Sequence, residues 1–87
     1  MNKFKLLISS PDGAVFEGDV CKITLRGVEG ELAVMAGHIP FITAIKPCEC
    51  KVEIDEDNEK TAKTDGGLLT VTAEKTTLLS SSFKFNE

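Results

Sequence analysis

Apolar and polar residues alternate with a period of two along most of this chain. In Lys3 to Ser9 the positions Phe4, Leu6 and Ile8 fall on one side. Pro11-Asp12-Gly13 predicts a turn, because proline presets φ at one corner and glycine accepts positive φ at another. Ala14 to Glu17 predicts a short strand closed by Gly18-Asp19. From Val20 to Arg26, Cys21, Ile23 and Leu25 share one face, and Lys22, Thr24 and Arg26 the other. Gly27-Val28-Glu29-Gly30 predicts a tight connection into a strand over Glu31 to Met35. Ala36 to Pro40 breaks the pattern, and Phe41 to Ile45 resumes it until Lys46-Pro47.

From Cys48 to Ile54 the inward set is Cys50, Val52 and Ile54. Asp55 to Glu59 predicts a polar hairpin tip, followed by a polar edge strand over Lys60 to Asp65, where charge discourages edge-to-edge association. Gly66-Gly67 predicts a bulge or bend. Leu68 to Ala73 and Thr76 to Ser81 complete the strands. No window keeps the i, i+3, i+4, i+7 pattern beyond one turn. Short, closely spaced strands of this kind predict an all-β, mostly antiparallel sandwich or flattened barrel.

Composition narrows the classes. The chain has 87 residues with a net charge of −4, one histidine and three cysteines. That length predicts a single domain over 1–87, burying only about 60–65% of its unfolded surface, so a partner that covers one face would stabilise it. The acidic balance argues against nucleic acid as the main partner. No apolar run reaches the ~20 residues of a membrane helix, and no signal peptide is visible, so direct membrane insertion is not expected. Cys21, Cys48 and Cys50 are expected as reduced, partly buried thiols.

Candidate chemistry is sparse. The acidic run Glu53 to Glu59 fails as a calcium loop: with Asp55 at position 1, Lys60 falls where glycine is needed and Gly66 where a bidentate glutamate is needed. His38 has no nucleophile or orienting partner assigned by spacing. Gly27-x-x-Gly30 opens a strand rather than a helix, so it is no phosphate loop. No catalytic residue, cofactor or metal site is expected. The loop–strand–loop from Gly27 to Phe41, rich in glycine, glutamate and exposed apolar residues, is the candidate binding region.

The order Pro11-Asp12-Gly13, Phe16-Glu17-Gly18-Asp19-Val20, Gly27-x-x-Gly30-Glu31-Leu32-Ala33-Val34-Met35-Ala36-Gly37-His38-Ile39-Pro40-Phe41 and Gly66-Gly67 resembles the epsilon subunit of F-type ATP synthases. The family's central motif usually reads P-G-x-x-G-E-L-G-V-L-P-G-H-A-P. Here Arg26 and Ala36 replace two prolines, Ala33 replaces a glycine, and Leu68-Leu69 follows the glycine pair where phenylalanine is common. Losing two prolines should loosen those loops.

The resemblance implies a ten-stranded flattened barrel or sandwich at the foot of the rotating central stalk. It implies gamma and the c-subunit ring as partners, on the cytoplasmic face of the cell membrane, in a peripheral, non-catalytic part. Glu29, Gly30 and Glu31 carry over as ring contacts, with His38 in the neighbouring motif. Leu7, Phe41 and Ile42 are the candidate gamma contacts. The family's C-terminal helical hairpin, which inhibits ATP hydrolysis, is not expected here, since no helical pattern begins by Ser80 to Glu87. The alternative reading is a generic small β adaptor domain that binds some other protein.

Overall fold

The computed structural model describes residues 2–86; Met1 and Glu87, the ends of the expected domain, lie outside the described residues. Ten strands follow in chain order: β1 Phe4–Ser10, β2 Gly13–Val20, β3 Lys22–Gly27, β4 Gly30–Met35, β5 Phe41–Ile45, β6 Cys48–Glu53, β7 Glu59–Thr64, β8 Gly67–Val71, β9 Thr76–Ser80 and β10 Phe83–Phe85. Among the described residues there is no helix. Every strand pair is antiparallel except β1 with β9.

The strands form one hydrogen-bonded sheet folded back on itself at β3. One wing runs β10-β7-β6-β3-β4 and the other β5-β8-β9-β1-β2. The wings meet where Gly27 of β3 pairs with Ile45 of β5. The opposite side closes through side chains: the rings of Phe16 on β2 and Phe85 on β10 meet edge-on at 5.9 Å. Between the wings lies one core that includes Leu6, Ile8, Val20, Ile23, Leu25, Val34, Val52, Leu69 and Leu78. These are the inward members of the alternating patterns, so the hydrophobic effect selects the register of each strand.

Two features differ from the sequence expectation. β2 does not close at Gly18-Asp19, because β1 supplies register partners there, Lys5 for Asp19 and Leu6 for Gly18. Such pairing outweighs the local preference. The break comes at Cys21 instead, between β2 and β3. Nor is β7 an edge: β10 pairs with it, Phe83 opposite Thr64 and Phe85 opposite Ala62. Phe83 enters the core, and that burial fixes this three-residue strand in place. The expected bend at Gly66-Gly67 is present, and a side chain on Gly67 would collide with the Leu79 carbonyl oxygen of β9.

Candidate functional site

The candidate site residues lie on two parts of the surface: the β4 edge with its two flanking loops, and the outer face of the wing that contains β5, β8, β9 and β1. β4 pairs only with β3, so its other edge carries unpaired backbone groups. At one end is the β3–β4 hairpin. Gly27 pairs with Gly30 and Arg26 with Glu31, which leaves Val28 and Glu29 as the loop. Gly30 has φ +127°, a conformation that glycine adopts at least cost. The Val28 amide donates to the Ala44 carbonyl at 3.2 Å and ties the hairpin to β5. Glu29, Gly30 and Glu31 are all exposed.

His38 sits at the other end of β4. Its amide donates to the Met35 carbonyl at 3.2 Å, and Met35 is the register partner of Lys22, at the opposite end of the β3–β4 ladder from the hairpin. Four steps of extended strand, about 13 Å at 3.3 Å each, separate Glu31 from Met35 alone. The structure therefore keeps Glu29, Gly30 and Glu31 together and holds His38 apart from them. The His38 ring lies 4.8 Å from that of Phe41, and its Nδ1 is 2.8 Å from the Ile39 carbonyl. That carbonyl can only accept, so Nδ1 is the donor of this bond.

The second surface follows from strand register. Ala44, Leu68, Leu79 and Ser9 form one row across β5, β8, β9 and β1, and Ile42, Thr70, Thr77 and Leu7 form the next. Neither row holds a charge until Glu17 of β2, the partner of Leu7. Ile42 is 66% exposed, Leu79 51% and Leu68 42%, high values for large aliphatic side chains. Leu7 and Ile42 thus end the same row, as one contact surface requires. Phe41, the third candidate, alternates to the inner side of β5, where it is partly buried against the core, so it does not share this row. Leu68 and Leu79 were missed. Their signal was the double leucines Leu6-Leu7, Leu68-Leu69 and Leu78-Leu79: a strand can bury only one of each pair.

The outer face of the other wing has the opposite character. Lys22, Arg26, Glu49, Lys51, Glu53, Glu59, Lys63 and Lys84 occupy it with Thr24 and Thr61 between. Ion pairs join Lys22 to Glu53 at 3.9 Å and Lys51 to Glu59 at 3.8 Å. Both are solvent-exposed and weakly stabilising, about 0–1 kcal/mol each. The acidic tip between β6 and β7 is held by Asp55, whose Oδ1 accepts from the Asp57 and Asn58 amides at 2.9 Å. The Asn58 side chain, first among the causes, and the Asp57 amide hold the Asp55 carboxyl below the usual carboxylate range. Among the described residues, no three His, Cys, Asp or Glu side chains converge as a metal cage.

The fold is a β-sandwich with one charged outer face, one largely apolar outer face and an exposed edge strand. The chain belongs to the ATP synthase Delta/Epsilon chain β-sandwich domain family, whose family model matches residues 3–86. It is 30% identical over 87 residues to the ATP synthase epsilon chains of two Clostridium perfringens strains, SM101 and ATCC 13124, covering all of this chain and 65% of each relative. The chain thus spans just under two thirds of the length of those relatives.

Two solved structures show the same fold. One is the Euglena gracilis mitochondrial ATP synthase OSCP/F1/c-ring assembly in rotational state 1. Its TM-score is 0.89 at 22% identity, covering 95% of this chain and 53% of that one. The other is the Tetrahymena thermophila mitochondrial ATP synthase central stalk/c-ring, with a TM-score of 0.81 at 15% identity, covering 94% and 66%.

Proposed function

We propose that this β-sandwich is a non-catalytic rotor part of an F-type ATP synthase, peripheral on the cytoplasmic side of the membrane. It docks on gamma through the uncharged outer face and on the c-ring through the β4 edge. The observation that carries this reading is the pair of charge-free rows from Ile42 and Ala44 to Leu7 and Ser9. Four strands about 4.8 Å apart and five residues of strand give a patch of roughly 250 Å². A standard interface takes roughly 800 Å² per partner, with an apolar centre and a polar rim. The patch suits the centre, and Lys5, Glu17 and Asp19 on the neighbouring outward positions suit the rim.

The β4 edge serves the second contact at both ends. Glu29 and Glu31 are acceptors only, matched to the basic and amide donors of a polar ring loop. Such rim contacts are salt-sensitive and contribute about 0–1 kcal/mol each. His38 engages separately, at the far end of the same edge. The work in this reading is mechanical: the chain stays bound while the rotor turns and passes torque between ring and stalk.

Co-purification with gamma tests the reading. The native chain is expected to retain gamma, and Leu79→Glu to release it while keeping its β-sheet circular dichroism. Retention of gamma by a folded Leu79→Glu, Ile42→Glu double variant would overturn the assignment of this face.

A further inference from the structure

Cys48 and Cys50 are used by neither docking surface. They stand two residues apart on β6 and therefore point to the same side of the strand. Cys50 is buried at 1% exposure and Cys48 is half-buried at the rim. Both line a surface groove of about 450 Å³, with Arg26, Glu31, Pro47 and Thr61 around them. Here β3 parts from β6 and turns to β5: the β3–β6 ladder ends at Thr24–Lys51, and the Lys46 amide of the β5–β6 connection donates to the Arg26 carbonyl. The Arg26 amide, left without a carbonyl from β6, donates to Cys48 Sγ at 3.4 Å.

The spacing decides what this pair can do. Residues two apart on a strand have Cβ atoms about 6.6 Å apart. A disulfide needs about 3.5–4.5 Å, so direct oxidation to one is disfavoured. A linear sulfur–metal–sulfur bridge, with bonds of about 2.3 Å, spans about 4.6 Å between sulfurs. Thiols leaning towards each other from Cβ atoms at strand spacing reach that distance. Zinc and iron sites want four ligands, and no third ligand converges here among the described residues. Soft monovalent cations with a closed d shell are satisfied by two thiolates.

We propose that Cys48 and Cys50 form a two-coordinate site for a thiophilic monovalent cation of the Cu(I) class. Binding replaces both S–H bonds with S–metal bonds, releases two protons and leaves a bis-thiolate of net charge −1. Arg26 and Lys51 line the groove together with Glu31 and Glu49, so its walls carry both signs, and the Arg26 amide remains a donor to the Cys48 sulfur. Burial, then the Cys48 thiol, then Glu49 push the Cys50 thiol up to about 12.

The test is anaerobic titration of the reduced chain with Cu(I) held by a colorimetric chelator. The expected result is one Cu(I) per chain, two protons released, and X-ray absorption showing two sulfur neighbours and no nitrogen. Cys48→Ala and Cys50→Ala should each lower the affinity at least 100-fold, and Cys21→Ala should leave it unchanged. Cys48 is only half-buried, so its variant decides the matter if Cys50→Ala does not fold. Unchanged binding in Cys48→Ala overturns the site, as does uptake only with loss of the β-sheet circular dichroism. Mild oxidation of the native chain to a Cys48–Cys50 disulfide, mapped by mass, overturns the spacing argument.

Discussion

The two wings bury the same kind of residue and expose opposite kinds. On the β10-β7-β6-β3-β4 wing, the positions between core residues are mostly lysine, arginine, glutamate and threonine, so its outer face is at home in water. On the β5-β8-β9-β1-β2 wing, the same alternation leaves Ile42, Ala44, Leu68, Leu79 and Leu7 outside. One sequence folds both wings around one core, so the core does not explain the difference. Solvation alone would favour charge on both sides. A face kept uncharged across four strands is best accounted for by something that covers it.

The largest expected effect separates neighbours in a single strand. Leu69→Ala deletes a fully buried side chain and should cost about 2–5 kcal/mol of stability. Leu68→Ala, one residue earlier, should cost within about 0.5 kcal/mol in the isolated chain. Chemical denaturation of both checks this, and equal losses would mean that the outer face is already packed.

Next in size is gamma binding. Ile42→Asp with Leu79→Asp places two unpaired charges at the centre of the proposed interface. Hot-spot losses of about 2 kcal/mol or more each predict at least a 100-fold weaker complex by titration calorimetry. Lys51→Asp with Lys63→Asp on the charged face makes the same kind of change and should leave the affinity within about threefold. Similar losses from both pairs would erase the distinction between the faces.

A smaller effect is expected on the β4 edge. Glu31→Arg reverses one rim charge and should weaken coupling to the ring by about 1 kcal/mol at most, with the difference shrinking as salt is raised. Proton-pumping efficiency of the reconstituted complex is the readout. Because His38 lies at the other end of β4, its effect and that of Glu31→Arg should add rather than compensate.

Much of this division was legible in the chain. The inward sets Phe4, Leu6, Ile8 and Cys21, Ile23, Leu25 follow from period two, and the β3–β4 hairpin from Gly27 and Gly30. Three things were not legible, for physical reasons. β10 is three residues long, too short for a periodic signal, and exists because Phe83 finds the core and β7 lacks a partner on that side. The parallel pairing of β1 with β9 joins distant segments and leaves no local mark. The separation of Glu31 from His38 was hidden by their closeness in one motif, although an extended strand carries its two ends far apart.

The smallest and most local prediction concerns pH and the tip of the charged wing. The Asp55 carboxylate accepts from Asn58 and Asp57, and these bonds favour its ionised form, so its folded-state pKa is depressed. A depressed acid contributes stability that is fully present above its unfolded pKa of about 3.9 and is lost as pH falls through the folded value. Acidification below about pH 4 should therefore weaken the β6–β7 turn before it affects the two rows across β5, β8, β9 and β1, which hold no titratable group before Glu17 of β2. Asn58→Ala removes the largest cause, so the Asp55 carboxyl should titrate closer to the ordinary range and the acid-side loss of turn stability should shrink. Carboxyl chemical shifts followed by NMR against pH, with amide exchange at Asp57 as the local probe, give the answer. An Asp55 titration unmoved by Asn58→Ala would show that the turn backbone alone sets it.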